Sequence, residues 1–251
     1  MVDLHCHILP EVDDGAQNIE QSLNIAREAE KAGFTTICCT SHFMIPNYTS
    51  LKSDNEILLN KLQKELDNNE INIKLLLANE IYINESILEL LKKDNISTIG
   101  ESEYLLVELP MRQEIKFVDE IFEILKNNGY KIILAHPERY KYIQDNPNRL
   151  INLIEEGVII QSNYASILGF YGNSAKKTFK KLLKSKMINI LATDNHYEKT
   201  IYENMENIRK KLHKIISDEY FNLITIENPD KVIKNEEIKK NNYTKIRNIF
   251  L

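Results

Sequence analysis

The sequence predicts a single α/β domain folded as a distorted TIM-like (β/α)7 barrel. Three observations predict it. Seven short apolar runs rich in β-branched residues recur along the chain, an amphipathic stretch of helical length follows each of them, and the alternation runs on without a break in composition. At 251 residues the chain also has the ordinary length of one such barrel.

The first strand is expected near Val2 to His5 and its helix near Ile19 to Ala32, with Gly33 placed to end that helix in a left-handed cap. A second strand near Thr35 to Thr40 leads to a helix near Asp54 to Asp67. The third, Ile73 to Ala78, is followed by a helix near Glu85 to Lys92, and the fourth, Tyr104 to Leu109, by one near Ile115 to Asn127 that closes at Gly129. After a fifth strand near Lys131 to Ala135, Asn146-Pro147 suits a helix start and Gly157 its end. Strands near Val158 to Ser162 and Ile188 to Thr193, with helices near Ala175 to Ser185 and Met205 to Ile216, complete the pattern. Past Asn228-Pro229 the periodicity decays into a polar Lys- and Asn-rich segment. The barrel is therefore expected over residues 1–232 and a tail over 233–251.

Composition excludes several classes. No apolar run reaches the ~18 residues of a membrane span, so membrane insertion is not expected. The N-terminus lacks the basic and apolar regions of a secretory signal, which points to the cytoplasm. A net charge of −5 gives no general attraction to nucleic acid. Cys6, Cys38 and Cys39 cannot all pair and two are adjacent, so they read as reduced core thiols. No Arg stands six residues after any of the three, which removes the phosphate loop of cysteine-nucleophile phosphatases, and no Walker-type glycine loop is present.

The chemistry-bearing residues sit at strand ends. His5 and His7 leave the first strand as His-x-His, a spacing that turns both imidazoles to one side of an extended segment; on its own the pair reads equally as polar residues at a strand end. His42 follows the second strand, Glu80 the third, Glu108 ends the fourth, His136 follows the fifth, and Asp194 with His196 follows the seventh. In a parallel barrel all of these meet on the C-terminal rim. Asp13-Asp14-Gly15 adds carboxylates there, Asp14 being the favoured ligand, against the alternative of a plain turn. Five of the six histidines occupy such positions; His213, between Lys211 and Lys214 in a helix, reads as a surface residue. Imidazoles mixed with carboxylates suit divalent manganese, zinc or iron, and the donor count exceeds what one tetrahedral ion needs, so more than one ion is expected with a Glu such as Glu80 bridging. Several divalent ions at one site are the equipment of a hydrolase. Arg139 reads either as a forked donor to a phosphoryl oxygen or as a surface salt bridge.

Taken together, Asp3-Leu4-His5-Cys6-His7 with Asp13-Asp14-Gly15, Thr40-Ser41-His42, Asn79-Glu80-Ile81-Tyr82, Val107-Glu108-Leu109-Pro110-Met111, His136-Pro137-Glu138-Arg139-Tyr140, Gln161-Ser162-Asn163 and Thr193-Asp194-Asn195-His196 resemble the polymerase-and-histidinol-phosphatase (PHP) superfamily. Within it they resemble the bacterial manganese-dependent protein tyrosine phosphatases of capsule and exopolysaccharide synthesis. The resemblance covers residues 1 to about 200 with order and spacing intact. It implies the seven-stranded barrel, three divalent ions, usually manganese, and as their ligands His5, His7, Asp14, His42, Glu80, Glu108, His136, Asp194 and His196. It implies catalytic roles for His136, Asp194 and Arg139, with Arg139 on the substrate phosphate, a metal-activated water as nucleophile and no phospho-enzyme. The implied partner is a tyrosine kinase that controls polysaccharide chain length, through its phosphotyrosine tail. One departure stands out: the family commonly carries a second Arg shortly after the last motif, where this chain reads Tyr197-Glu198-Lys199-Thr200-Ile201. Lys199 keeps the charge without the two-pronged geometry. Two other functions remain open on the same scaffold, a small-molecule or nucleic-acid phosphoesterase and a non-catalytic metal-containing regulator.

Overall fold

The computed structural model describes residues 1–196 and 201–246. Seven parallel strands, β1 (Val2–Cys6), β2 (Thr36–Phe43), β3 (Lys74–Tyr82), β4 (Tyr104–Glu108), β5 (Lys131–Leu134), β6 (Ile159–Asn163) and β7 (Ile190–Ala192), pair in sequence order. Helices α1 (Ile19–Lys31), α2 (Lys52–Asn68), α3 (Ile87–Lys92), α4 (Val118–Asn127), α5 (Lys141–Asp145), α6 (Leu150–Glu155), α7 (Gly172–Lys184) and α8 (Met205–Leu212) follow the strands in turn. The result is the expected single-domain, nearly closed barrel. No helix among the described residues is long and apolar enough to cross a membrane.

The edges β1 and β7 meet through loops and one side chain. Asp194 N donates to His5 O (2.7 Å) and His7 N to Asn195 O (2.9 Å). Asp3, fully buried, accepts Thr193 N at 3.0 Å and the hydroxyls of Thr193 (2.5 Å) and Tyr202 (2.6 Å). A buried carboxylate is tolerable only when its lone pairs are filled, and here the donors come from the far edge of the sheet, so Asp3 fastens the seam.

Strand alternation explains both the core and the site. Leu4, Cys38, Ala78, Leu106, Ile133, Ile159 and Ile190 belong to the apolar cluster that fills the barrel. Two residues on, the same face carries Thr40, Glu80, Glu108, Gln161 and Ala192, and then His42, Asn163 and Asp194. The lower barrel is thus apolar and its upper rim polar on one continuous face. A larger cluster, including Phe34, Ile37, Leu62, Phe122, Leu134 and Phe179, packs the outer strand faces against the helices. The three cysteines are free and buried.

Gly33, Gly129 and Gly157 take φ of 86°, 91° and 86° just past α1, α4 and α6, the left-handed caps expected of them. Two differences from the sequence reading concern helices. α5, one turn long, follows Tyr140. The chain after Ser217 does not decay at Asn228-Pro229: α9 (Asp218–Asn222), a π-helical turn Leu223–Glu227 and α10 (Asn228–Ile233) run on without a gap. Buried Tyr220, Phe221, Ile224, Thr225, Asn228 and Val232 keep helical spacing through the proline. Pro229 has no N–H to return to an upstream carbonyl, and the helix is widened into π form just before it. Beyond α10 the chain lies against the barrel: Tyr104 Oη donates to Glu236 O (2.6 Å), and Ile238 joins the interior cluster.

Candidate metal centre and substrate pocket

Most of the functional side chains stand at or just past the C-terminal end of a strand, Asp14 coming from the loop after β1 and Arg139 from the turn after β5, and two break the inward alternation. Leu4 already points into the barrel, so His5 would ordinarily face out; the register of β1 against β2 slips between Asp3 and Cys6, and the bulge turns His5 inward. His136 follows inward-facing Ala135 and reaches the rim through a left-handed backbone, φ 32° and ψ 52°. Asp194 also has positive φ, 53°. Such conformations are costly for non-glycine residues and persist where surrounding structure holds them.

The donors form overlapping groups: His7, Asp14, His42 and His196; His5, Glu80, His136 and Asp194; and His42, Glu80 and Glu108. Within each, the donor atoms lie within 4.8 Å of one another. All nine residues expected as ligands are thereby brought to one rim. Glu80 is central. Its Oε1 is 2.8 Å from His136 Nε2, and its Oε2 faces His5 Nε2 (3.3 Å), His7 Nε2 (3.4 Å) and His42 Nδ1 (3.0 Å). Asp194 Oδ1 stands 3.3 Å from His5 Nε2 and 3.5 Å from His7 Nε2. Asp14, the most exposed donor, lies 3.5 Å from both His42 Nε2 and His196 Nε2.

The remaining polar atoms fix which nitrogen faces the centre. His7 Nδ1 pairs with Asp13 Oδ2 (2.8 Å), His5 Nδ1 with Gln161 Oε1 (3.2 Å) and His196 Nδ1 with the Asp194 carbonyl (3.1 Å), leaving each Nε2 for the rim. Asp13 also accepts His42 N (2.8 Å) and Gly15 N (2.9 Å). Asp194 Oδ2 accepts Asn163 Nδ2 and Arg139 Nη1, both at 2.7 Å, while Oδ1 is left without a donor. Gln161 Nε2 donates to Asn163 Oδ1 (2.9 Å), joining the two supports. Gln161 and Asn163 have no role in the sequence reading, and Asp13 only that of a rim carboxylate beside the favoured Asp14. The period-2 pattern of β6 would have aimed Gln161 and Asn163 inward, and a loop acid two residues before Gly15 is as good a candidate as its neighbour.

Several features fit divalent cations. His5 Nε2 and His7 Nε2 are 3.1 Å apart, and two neutral imidazoles presenting lone pairs to each other repel unless a proton or cation lies between. Edges near 3 Å are those of ligand atoms held about 2.1 Å from one ion. Buried Glu80 Oε2, Asp194 Oδ1, His42 Nδ1 and His136 Nδ1 have no hydrogen-bond partner. Against burial, which lowers them, Glu80 and Asp194 raise the His5 imidazole and Asp13 raises His7 well above its ordinary value, so the protein alone gathers positive charge where a cation would sit. Burial would push the Glu80 and Asp194 carboxyls up, yet the imidazoles around them, His5 foremost, hold both well below the usual carboxylate range. Burial and then the Glu80 carboxylate push Glu108 well above that range. Burial and the Arg139 guanidinium push His136 down to about 4, keeping it the neutral imidazole a metal requires.

Beside these donors opens a pocket of about 200 Å³ whose walls include Asp14, Arg139, Phe170, Tyr171, Asp194 and His196. Arg139 lies 4.6 Å over the Tyr171 ring. Its pairing with Asp194 makes it a salt bridge, but one that leaves the side chain 27% exposed in the pocket wall. Lys199 lies outside the described residues. His213 is an exposed residue paired with Asp218 (2.7 Å), remote from the rim.

Residues 1–234 match the model of the family described as capsular polysaccharide synthesis, CpsB/CapC. The chain is 34% identical over 196 residues to CapC of Staphylococcus aureus, covering 78% of this chain and 77% of the relative. It is 30% identical over 238 residues to the tyrosine-protein phosphatase YwqE of Bacillus subtilis, covering 95% and 93%. Among solved structures it superposes on one from a study of YwqE from Bacillus subtilis and CpsB from Streptococcus pneumoniae, described as metal-dependent tyrosine phosphatases. That match has a TM-score of 0.90 and 28% identity, over 98% of this chain and 100% of the other.

Proposed function

The chain belongs to the CpsB/CapC family of capsular polysaccharide synthesis, and on that premise we propose that it is a metal-dependent protein tyrosine phosphatase. The observation that carries the reading is Glu80, a fully buried carboxylate with one oxygen toward His136 and the other toward His5, His7 and His42, set beside a pocket that exposes Arg139. His5, His7, Asp14, His42, Glu80, Glu108, His136, Asp194 and His196 would hold the ions. The mixed nitrogen and oxygen donors suit manganese, with zinc or iron the alternatives, and nine ligands suit three ions. Bound there, divalent ions supply a water nucleophile at neutral pH and neutralise charge on the phosphoryl oxygens.

The chain's own residues orient and select. Arg139, stacked on Tyr171, offers its free N–H groups to a phosphoryl oxygen, while Asn163 keeps Asp194 aimed at the centre. In the overall reaction the bond from phosphorus to the tyrosyl oxygen breaks, a bond from phosphorus to a water oxygen forms, and a proton from that water ends on the phenol. A phenol, with a pKa of about 10, leaves more readily than a serine alkoxide. We assign as substrate the phosphotyrosine tail of a cytoplasmic-side tyrosine kinase of polysaccharide synthesis, and Lys199 as an auxiliary contact to its phosphate.

Phosphate release from a tyrosine phosphopeptide by metal-stripped protein, with and without manganese, tests this beside a phosphoserine peptide of the same sequence and histidinol phosphate. Manganese-dependent, tyrosine-selective release is expected, and its loss in His136→Ala. Release from histidinol phosphate alone would replace the substrate; a His136→Ala variant with full turnover would reject the site.

A further inference from the structure

Among the exposed large hydrophobic residues described, Phe170 is the one that lines the pocket beside the metal donors; its residue is 60% exposed. Its neighbours in that class, such as Ile57 on α2 and Ile124 on α4, do not line that pocket.

The presentation of Phe170 is built. It stands in the corner between β6 and α7, flanked by Gly169 and Tyr171-Gly172, and both glycines are left-handed (φ 89° and 90°). Gly169 N donates to Ser166 O (3.1 Å) and Gly172 N to Gly169 O (3.0 Å), so the turn is closed by its own backbone. Its base is anchored by Ser166 Oγ, which donates to the fully buried Glu138 carboxylate (2.7 Å), and by Lys176 Nζ on the Leu168 carbonyl (3.3 Å). The Phe170 ring meets Tyr171 edge to face, centroids 5.6 Å apart, and Tyr171 in turn carries the Arg139 guanidinium. An apolar ring, an aromatic support and a phosphate-binding cation therefore succeed one another along one pocket wall. At about 200 Å³ the pocket is smaller than those that enclose drug-sized ligands, and suits a single side chain.

We propose that Phe170 is the residue that recognises the aryl ring of the substrate, packing against the phosphotyrosine phenyl group while its phosphate reaches Arg139 and the metal donors. The inference rests on the phosphatase reading and specifies how that site selects aryl over alkyl esters. An aromatic pair of this kind adds a modest increment beyond area burial, so the effect is graded.

The test compares full-length, manganese-loaded wild type, Phe170→Ala and Phe170→Tyr. KM for a tyrosine phosphopeptide is measured beside the inhibition constant of inorganic phosphate, which has no ring. Phe170→Ala should raise KM about three- to tenfold and leave the phosphate constant unchanged, and Phe170→Tyr should restore KM. An unchanged KM in Phe170→Ala, or a phosphate constant that rises in step with KM, would overturn the assignment. Wild type that releases no phosphate from the peptide would overturn the phosphatase reading and this inference with it, whereas an active wild type with an insensitive variant rejects Phe170 alone.

Discussion

Gly15 follows the Asp13-Asp14 pair, and its requirement is steric. A Cβ added there would lie 2.2 Å from His7 O, 2.5 Å from His7 Cβ and 2.9 Å from Asp13 Oδ1. Ordinary carbon contacts begin near 3.3 to 3.5 Å, so in Gly15→Ala the loop must withdraw from β1 by roughly 1 Å. His7 cannot yield, because it is buried and its Nδ1 is tied to Asp13 at 2.8 Å. The withdrawal would stretch that bond together with Ala16 N to His7 O (3.1 Å) and His42 N to Asp13 Oδ2 (2.8 Å). Overpacking of this kind costs about 1–3 kcal/mol, or roughly 2–12 °C in Tm for a chain of this size. Freeing the carboxylate that orients a metal-binding imidazole lowers metal affinity about 10- to 100-fold. Manganese titration, thermal melting and phosphate release at saturating metal would be read on the same protein. Gly129→Ala is the control: it has left-handed φ with nothing within 4 Å of the new Cβ, so it should lower Tm without changing metal affinity. Wild-type metal affinity and turnover in Gly15→Ala would refute the claim that this close approach positions Asp13 and His7.

Three further outcomes follow from individual contacts. Burial would raise the Asp13 carboxyl, but His7 and the neighbouring N–H groups bring it down to about 2. A depressed carboxyl stabilises the fold above its unfolded value near 4 and loses that contribution as pH falls toward 2, so in metal-free protein the stability gap between wild type and Asp13→Asn should be about 2 kcal/mol at neutral pH and close in that window; a gap constant from pH 7 to 2 in denaturant titrations would contradict the pairing. Tyr140→Phe removes a buried hydroxyl that donates to Ala135 O (2.7 Å) and accepts Leu109 N (2.9 Å), tying the ends of β4 and β5, and should cost about 2 kcal/mol in chemical denaturation. Arg139→Lys keeps charge but loses the fork, and should lower kcat/KM on a tyrosine phosphopeptide about 10- to 100-fold with metal content retained; loss of metal instead would make the clamp on Asp194 its main task.

How much was legible beforehand differs from residue to residue. Seven strands, the glycine caps and the strand-end location of five histidines are local signals, because a period of two and a left-handed stop leave their mark within a few residues. So does the motif set that marks the CpsB/CapC family. The helical rod after Ser217 was missed because Pro229 reads as an end in isolation, and only contact with the barrel shows that its buried face continues.

The site divides the same way. That Glu80 and Glu108 share an inward face with Ala78 and Leu106 follows from alternation alone. That His5 and His136 join them does not, since each stands one residue from an inward-facing neighbour and reaches the rim through a bulge or a left-handed backbone. Nor could spacing tell Asp13 from Asp14: one holds His7 and the backbone of His42, the other lies between His42 and His196, and the difference is where the loop crosses β1. The supports from Gln161, Asn163 and Asp3 likewise join residues 25 to 190 positions apart. The sequence by itself therefore determined the barrel, the donor types and the chemistry they permit, because those depend on residue identity and short periods; the tertiary structure alone decided which nitrogen of His5, His7 and His196 faces the centre and which ring lines the pocket, because those depend on contacts that exist only once the barrel has closed.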